Sequence, residues 1–143
     1  MEIRGDRSYI YQITFLKEGV PPGRSDKSSP LLEQCRSQLD EYFAGARKSF
    51  DLPLLLQGTP FQKSVWEELA KIPYGKTLPY SEIADLIGKP KAVRAVGGAN
   101  HSNPVSIIIP CHRVIGKNGS LTGYGGGLWR KQWLLEHEMA HIS

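Results

Sequence analysis

Residues 79–114 read PYSEIADLIGKPKAVRAVGGANHSNPVSIIIPCHRV, and this stretch decides how the chain folds. Pro79 and Tyr80 open a short helical pattern. Its apolar positions, Ile83, Leu86 and Ile87, recur at helical spacing until Gly88. Lys89-Pro90 makes a turn, and a second short helix, KAVRAVGGANH, runs from about Lys91. Two short helices joined by a tight glycine-containing turn are a helix-turn-helix signature. Asn103-Pro104 breaks the second helix, and VSIII reads as a short buried strand by composition. It runs into Pro110-Cys111-His112-Arg113-Val114.

Downstream, a glycine-rich loop spans Gly116 to Gly127, and GLWRKQWLLEHE reads as a last helix with a Leu/Trp face. Upstream, Thr59-Pro60 starts a helix that places Phe61, Val65, Trp66, Leu69 and Ile72 on one face, and Pro73-Tyr74-Gly75 ends it. Residues 46–58 read as an extended linker, which divides the chain into 1–58 and 59–143. Before it, Ser29 and Pro30 look like an N-cap and first helical position. Leu31, Leu32, Cys35, Leu39, Tyr42 and Phe43 follow at helical spacing, with Gly45 as the stop. Cys35 lies on that apolar stripe as a buried structural thiol. Residues 17–29 read as a loop, and residues 8–16, SYIYQITFL, as a strand. The fold class is therefore α/β (α+β): a small sheet-and-helix N-terminal domain, then a mostly helical C-terminal domain with a winged-helix-like helix-turn-helix.

The 143 residues are enough to bury a core without disulfide staples. Neither Cys35 nor Cys111 sits in a CxxC pair, so a cysteine-rich zinc site is not indicated. No stretch has signal-peptide or membrane-span character, so a cytoplasmic protein without a membrane partner is expected. The net charge of +4 is uneven: residues 1–60 hold eight Lys/Arg against eight Asp/Glu, and residues 61–143 hold ten against six. A basic C-terminal part suits a polyanionic partner.

Cysteine reacts as the thiolate and needs a nearby base or positive charge for activation. His112 and Arg113 follow Cys111 directly, but adjacent side chains on extended backbone point apart. His112 would reach the thiol only through a bend or a bridging water. An acid would orient the imidazole, and Glu138 and Glu136 of the last helix are the candidates. A Cys-His pair alone is compatible with a structural thiol beside a satisfied histidine.

The surrounding sequence changes that weighing. AVGGANHSNPVSIIIPCHRV at 95–114 closely resembles the active-site signature of the O6-alkylguanine-DNA alkyltransferases, whose PCHR-plus-valine core stands intact at 110–114. The resemblance extends through TPFQKSVWEELAKIPYGKTLPYSEIA and GYGGGLWRKQWLLEHE, over roughly residues 59–138. The first sixty residues resemble only loosely a short version of the family's variable N-terminal domain.

The resemblance implies a DNA-binding and alkyl-transfer domain at 59–143. Its partner would be double-stranded DNA containing O6-alkylguanine, with O4-alkylthymine left open, and the protein would act as a monomer. Cys111 would be nucleophile and acceptor, deprotonated by His112 through a water, with Glu138 fixing the histidine. Tyr80 and Lys131 would assist the leaving guanine. Pro110, Val114, Tyr124 and Gly125 would line the base pocket, and backbone groups of Cys111 and Val114 would read the guanine edge. Gly125 stands where some members carry serine, so a hydroxyl contact is lost. Arg94 would enter the base stack while the target base is flipped out. Ala95 and Gly98 would lie against DNA with Tyr80 and Arg113, and Asn103 would be the hinge between recognition helix and active-site strand. Some members bind a structural zinc in the N-terminal part; with only Cys35 there and His101 the earliest histidine, no metal and no cofactor is expected. The alternative is a non-catalytic sensor of alkylated DNA, but such relatives carry tryptophan where Cys111 stands. A helix-turn-helix regulator would leave PCHRV unexplained. A cysteine hydrolase would need an oxyanion hole.

Overall fold

A computed structural model describes residues 1–15, 29–121 and 127–142. Strands β1 (Glu2–Gly5) and β2 (Ile10–Thr14) form an antiparallel hairpin with Ile3 opposite Ile13. Sequence reading finds β2 inside the expected strand but misses β1, whose four residues carry little apolar alternation. Strand β2 also joins distant segments. Ile10 exchanges backbone hydrogen bonds with Pro53 and Leu55 of the linker. Ile13 does the same with Pro104 and Ser106, just ahead of Cys111.

Helix α1 (Pro30–Phe43) begins as expected. The Ser29 side chain accepts from the Leu32 N–H, and Pro30 needs no partner for a missing one. Leu31, Cys35, Leu39 and Tyr42 face the core, and Gly45 follows in the left-handed region at φ 79°. On the same helix Gln38 clamps the linker: its amide donates to the Asp51 carbonyl at 3.2 Å and accepts from the Asp51 N–H at 3.1 Å. Helix α2 (Pro60–Leu69) starts in a capping box, where Thr59 and Gln62 satisfy each other's backbone N–H groups. Its Trp66 ring fills the core while the indole N–H donates to Ala99 at 2.9 Å.

Two-residue strands β3 (Leu78–Pro79) and β4 (Val114–Ile115) pair in parallel, which sets the reactive turn beside helix α3 (Tyr80–Leu86). Helix α4 (Val93–His101) starts two residues later than the sequence indicates, after a turn through Gly88 and Pro90. Helix α5 (Leu128–Ala140) closes the fold, burying Lys131, Leu134, His137 and Glu138. Among the described residues no helix is long and apolar enough to cross a membrane.

One expected element is corrected. Residues 105–109 do not form a strand; they curl into a loop in which Ser106 and Ile109 bridge each other and Ile107 sits at φ 74°. The cause is Asn103, whose amide donates to the Ile109 carbonyl at 2.7 Å and whose oxygen accepts from the Val105 N–H at 2.9 Å. A β-branched residue in the left-handed region costs about 1–3 kcal/mol and persists because its surroundings hold it there. Here Ile107 is buried in the core.

Candidate active site

Cys111, His112 and Arg113 form one turn of 3-10 helix capped by Val114, whose N–H donates to the Cys111 carbonyl. This turn supplies the bend that extended backbone would have lacked. Asn100 of α4 donates to the same carbonyl at 3.3 Å, which ties the reactive turn to the helix bearing Arg94. The thiol is only 4% exposed and meets the Asn103 side chain and the charge of Lys131. Burial pushes it up to about 11, against the pull of that hydrogen bond and that charge.

Glu138 is the centre of the site. Its Oε2 accepts from His112 Nε2 at 2.6 Å, from the Tyr42 hydroxyl at 2.6 Å and from Arg113 Nη2 at 3.0 Å. Its Oε1 accepts from Arg113 Nε at 2.8 Å and from the Gly75 N–H at 3.1 Å. Burial alone would raise this carboxyl, but hydrogen bonds and charge from His112 and Arg113 hold it well below the usual carboxylate range. Glu138 is therefore an anion, and the proton on His112 sits on Nε2. Nδ1 is left with its lone pair; it is buried and bonded to no described residue. Burial keeps the imidazole neutral, lowering it from its ordinary value despite Glu138.

On the other side of the thiol, Lys131 is wholly buried and its Nζ donates to the Tyr80 hydroxyl at 3.5 Å. Burial pulls Lys131 down to about 8, with the Cys111 charge acting in the opposite direction. Pairwise contacts thus link Cys111 to Asn103 and Lys131, Lys131 to Tyr80, and His112 to Glu138, with Pro110 and Val114 flanking the reactive turn. Tyr124 and Gly125 lie outside the described residues. Arg113 departs from the expected DNA contact. It is buried, bound to Glu138 and, through Nη1, to the Ile72 carbonyl at 2.6 Å, because the 3-10 turn aims it inward. Glu136, the other candidate acid, is exposed and bonds Gln132 instead.

Three participants escape sequence reading. Tyr42 reads as one more apolar position of α1, Gly75 as a helix stop, and Asn100 as part of a small-residue helix. A polar Asn100 on the helix face that also carries Val96 was the available signal.

Arg94, Ala95 and Gly98 lie together on the outer face of α4, all exposed. Among the described residues Arg94 has no hydrogen-bonding or ion-pair partner. A Cβ added at Gly97 or Gly98 would meet no described residue within 4 Å. No three His, Cys, Asp or Glu side chains among the described residues come together as a metal site requires.

Two family models match the chain. The 6-O-methylguanine DNA methyltransferase ribonuclease-like domain covers residues 3–56, and that family's DNA binding domain covers residues 60–140. This chain belongs to the 6-O-methylguanine DNA methyltransferase family. A methylated-DNA–protein-cysteine methyltransferase of Methanosarcina acetivorans is 49% identical over 95% of this chain and 89% of its own length. The protein of the same name from Shigella flexneri is 48% identical over 90% and 74%. The crystal structure of Mycobacterium tuberculosis OGT in complex with DNA superposes with a TM-score of 0.88 at 47% identity, covering 97% of this chain and 86% of that one.

Proposed function

We propose that this methyltransferase repairs O6-alkylguanine in DNA by moving the alkyl group, once, onto Sγ of Cys111. The observation that carries this reading is the Cys111–His112–Glu138 arrangement: a nucleophile beside a histidine whose tautomer is fixed by a buried carboxylate. The thiol proton passes to His112 Nδ1, through one water. Sγ attacks the alkyl carbon, the C–S bond forms and the C–O6 bond breaks. The guanine leaves with its electron pair on O6 and takes a proton from Tyr80, whose hydroxyl faces the Lys131 ammonium. The product is a thioether on Cys111, which no longer carries a thiol to react again, so each molecule works once.

Because O6 is inside the duplex, the base has to leave the stack. Arg94 fills the gap, and α4 lies in the minor groove with Ala95, Gly97 and Gly98 against the DNA backbone. The open space at both glycines supports this: packing within the protein does not call for glycine there. Every group invoked comes from one chain, which supports a monomer as the acting form. O4-alkylthymine offers an alkyl carbon on a similar oxygen and is the natural second substrate to try.

Incubation with an oligonucleotide bearing O6-methylguanine tests the proposal by intact mass. One methyl per molecule on the Cys111 peptide, with no second turnover, is expected. Tight binding with unchanged mass would instead mean a lesion sensor, and repeated turnover would exclude a consumed acceptor.

A further inference from the structure

The Tyr42 hydroxyl reaches the site from α1, in a part of the chain remote from Cys111. It donates to Glu138 Oε2 across 96 residues of sequence, and both groups are buried. The carboxylate is already fixed without it: Arg113 grips both oxygens and the Gly75 N–H holds Oε1. The Tyr42 ring is also held independently, between Phe50 at 5.7 Å, Tyr74 at 6.2 Å and His137 at 5.4 Å. What the hydroxyl adds is the positive end of a dipole, placed on the one oxygen that faces His112.

We propose that Tyr42 sets the proton affinity of His112, and through it the reactivity of Cys111. When Nδ1 takes the thiol proton, the imidazolium is stabilised by the negative charge on Glu138 Oε2. A donor sharing that oxygen draws charge away and weakens the stabilisation. Tyr42 therefore keeps the thiol protonated at rest, which guards an acceptor that can be used only once from stray electrophiles. The charged groups that act on His112 are Glu138 and Lys131 from α5 and Arg113 from its own turn, with Cys111 next to it in sequence; Tyr42 from α1 and Tyr74 from the turn after α2 are coupled to Glu138. Tyr42 is a positioning residue in this scheme, acting through Glu138 and His112 without touching substrate. Its purpose rests on the alkyl-transfer reading; its measurement does not.

The test follows iodoacetamide modification of Cys111 against pH in the full-length protein, read by mass spectrometry of the Cys111 peptide. In Tyr42→Phe the midpoint should fall by about half a pH unit, a fraction of what one hydrogen bond to a charged group is worth, because the effect reaches the thiol only through Glu138 and His112. With 3-fluorotyrosine at position 42, a stronger donor of nearly the same shape, it should rise. Opposite shifts separate a tuned dipole from a structural contact, which would move both variants the same way or neither. Coincident curves, or two shifts of one sign, overturn the proposal. Should Tyr42→Phe fail to fold, the fluorinated protein decides alone: a rise supports the proposal, and a fall or no shift overturns it. Iodoacetamide needs no guanine, so failure of benzyl transfer from O6-benzylguanine would overturn the repair reading while leaving the Tyr42 result intact.

Discussion

The Glu138 network and the outer face of α4 place polar groups in opposite ways. Around Glu138, five donor groups from three segments converge on one carboxylate in a buried site. On α4, Arg94 stands exposed beside positions where even a methyl group would touch nothing. The first set is nearly complete among the described residues, whereas the second, on the proposed reading, is completed by DNA. Loss of the carboxylate at the centre of the network should therefore cost folding and reactivity together, and loss of Arg94 from α4 should cost repair in duplex DNA alone.

Removing the centre of the network is the strongest way to break this contrast. Glu138→Ala leaves His112 and Arg113 buried without their anion and should lower unfolding stability by about 3–5 kcal/mol in urea titrations. A loss below about 1 kcal/mol would mean that the network does not hold the fold.

Acid should do part of the same reversibly. Glu138 has a folded pKa below its unfolded value, so its contribution is present above about 4.3 and is lost as pH falls toward the folded value. His112 is also lowered, so its contribution is complete above about 6.5 and is lost below it. Both losses run toward acid. The urea midpoint should decline from neutral pH to about pH 4, and a level or rising midpoint would contradict this assignment.

The surface test is Arg94→Ala. Stability should move by less than about 0.5 kcal/mol. Repair in duplex DNA should slow roughly 10- to 100-fold, while reaction with free O6-benzylguanine stays unchanged because that base needs no extrusion. Equal losses on both substrates would remove the distinction between the two regions. The smallest effect sharpens it further: Gly98→Ala should raise stability by about 0.5–1 kcal/mol in thermal melts, while weakening duplex binding in a titration.

How much was legible follows from the range over which each signal acts. The starts of α1 and α2 could be read because Ser29 and Thr59 cap within three residues of themselves. The Cys-His-acid relation could be anticipated as chemistry, which left Glu138 and Glu136 open; the resemblance pointed to Glu138, and the fold seats that carboxylate on His112 Nε2. The loop at 105–109 was hidden because its apolar composition suits a strand, and the turn depends on where one amide, Asn103, points. Arg113 was misplaced because exposure is the usual fate of arginine and nothing local shows a buried carboxylate waiting for it. Tyr42 was invisible as a polar group: its ring obeys the helical pattern, and its hydroxyl finds a partner at the far end of the chain.

The glycines of α4 carry one more consequence. A glycine pair inside a helix leaves the unliganded protein less stable than its own backbone would permit, by about 1 kcal/mol for each residue. Selection for heat resistance alone would fill those positions, since no described residue stands in the way. A thermostability screen run without a DNA challenge should thus enrich alanines on this helix early, and yield proteins that survive heating but have lost the work they survive for.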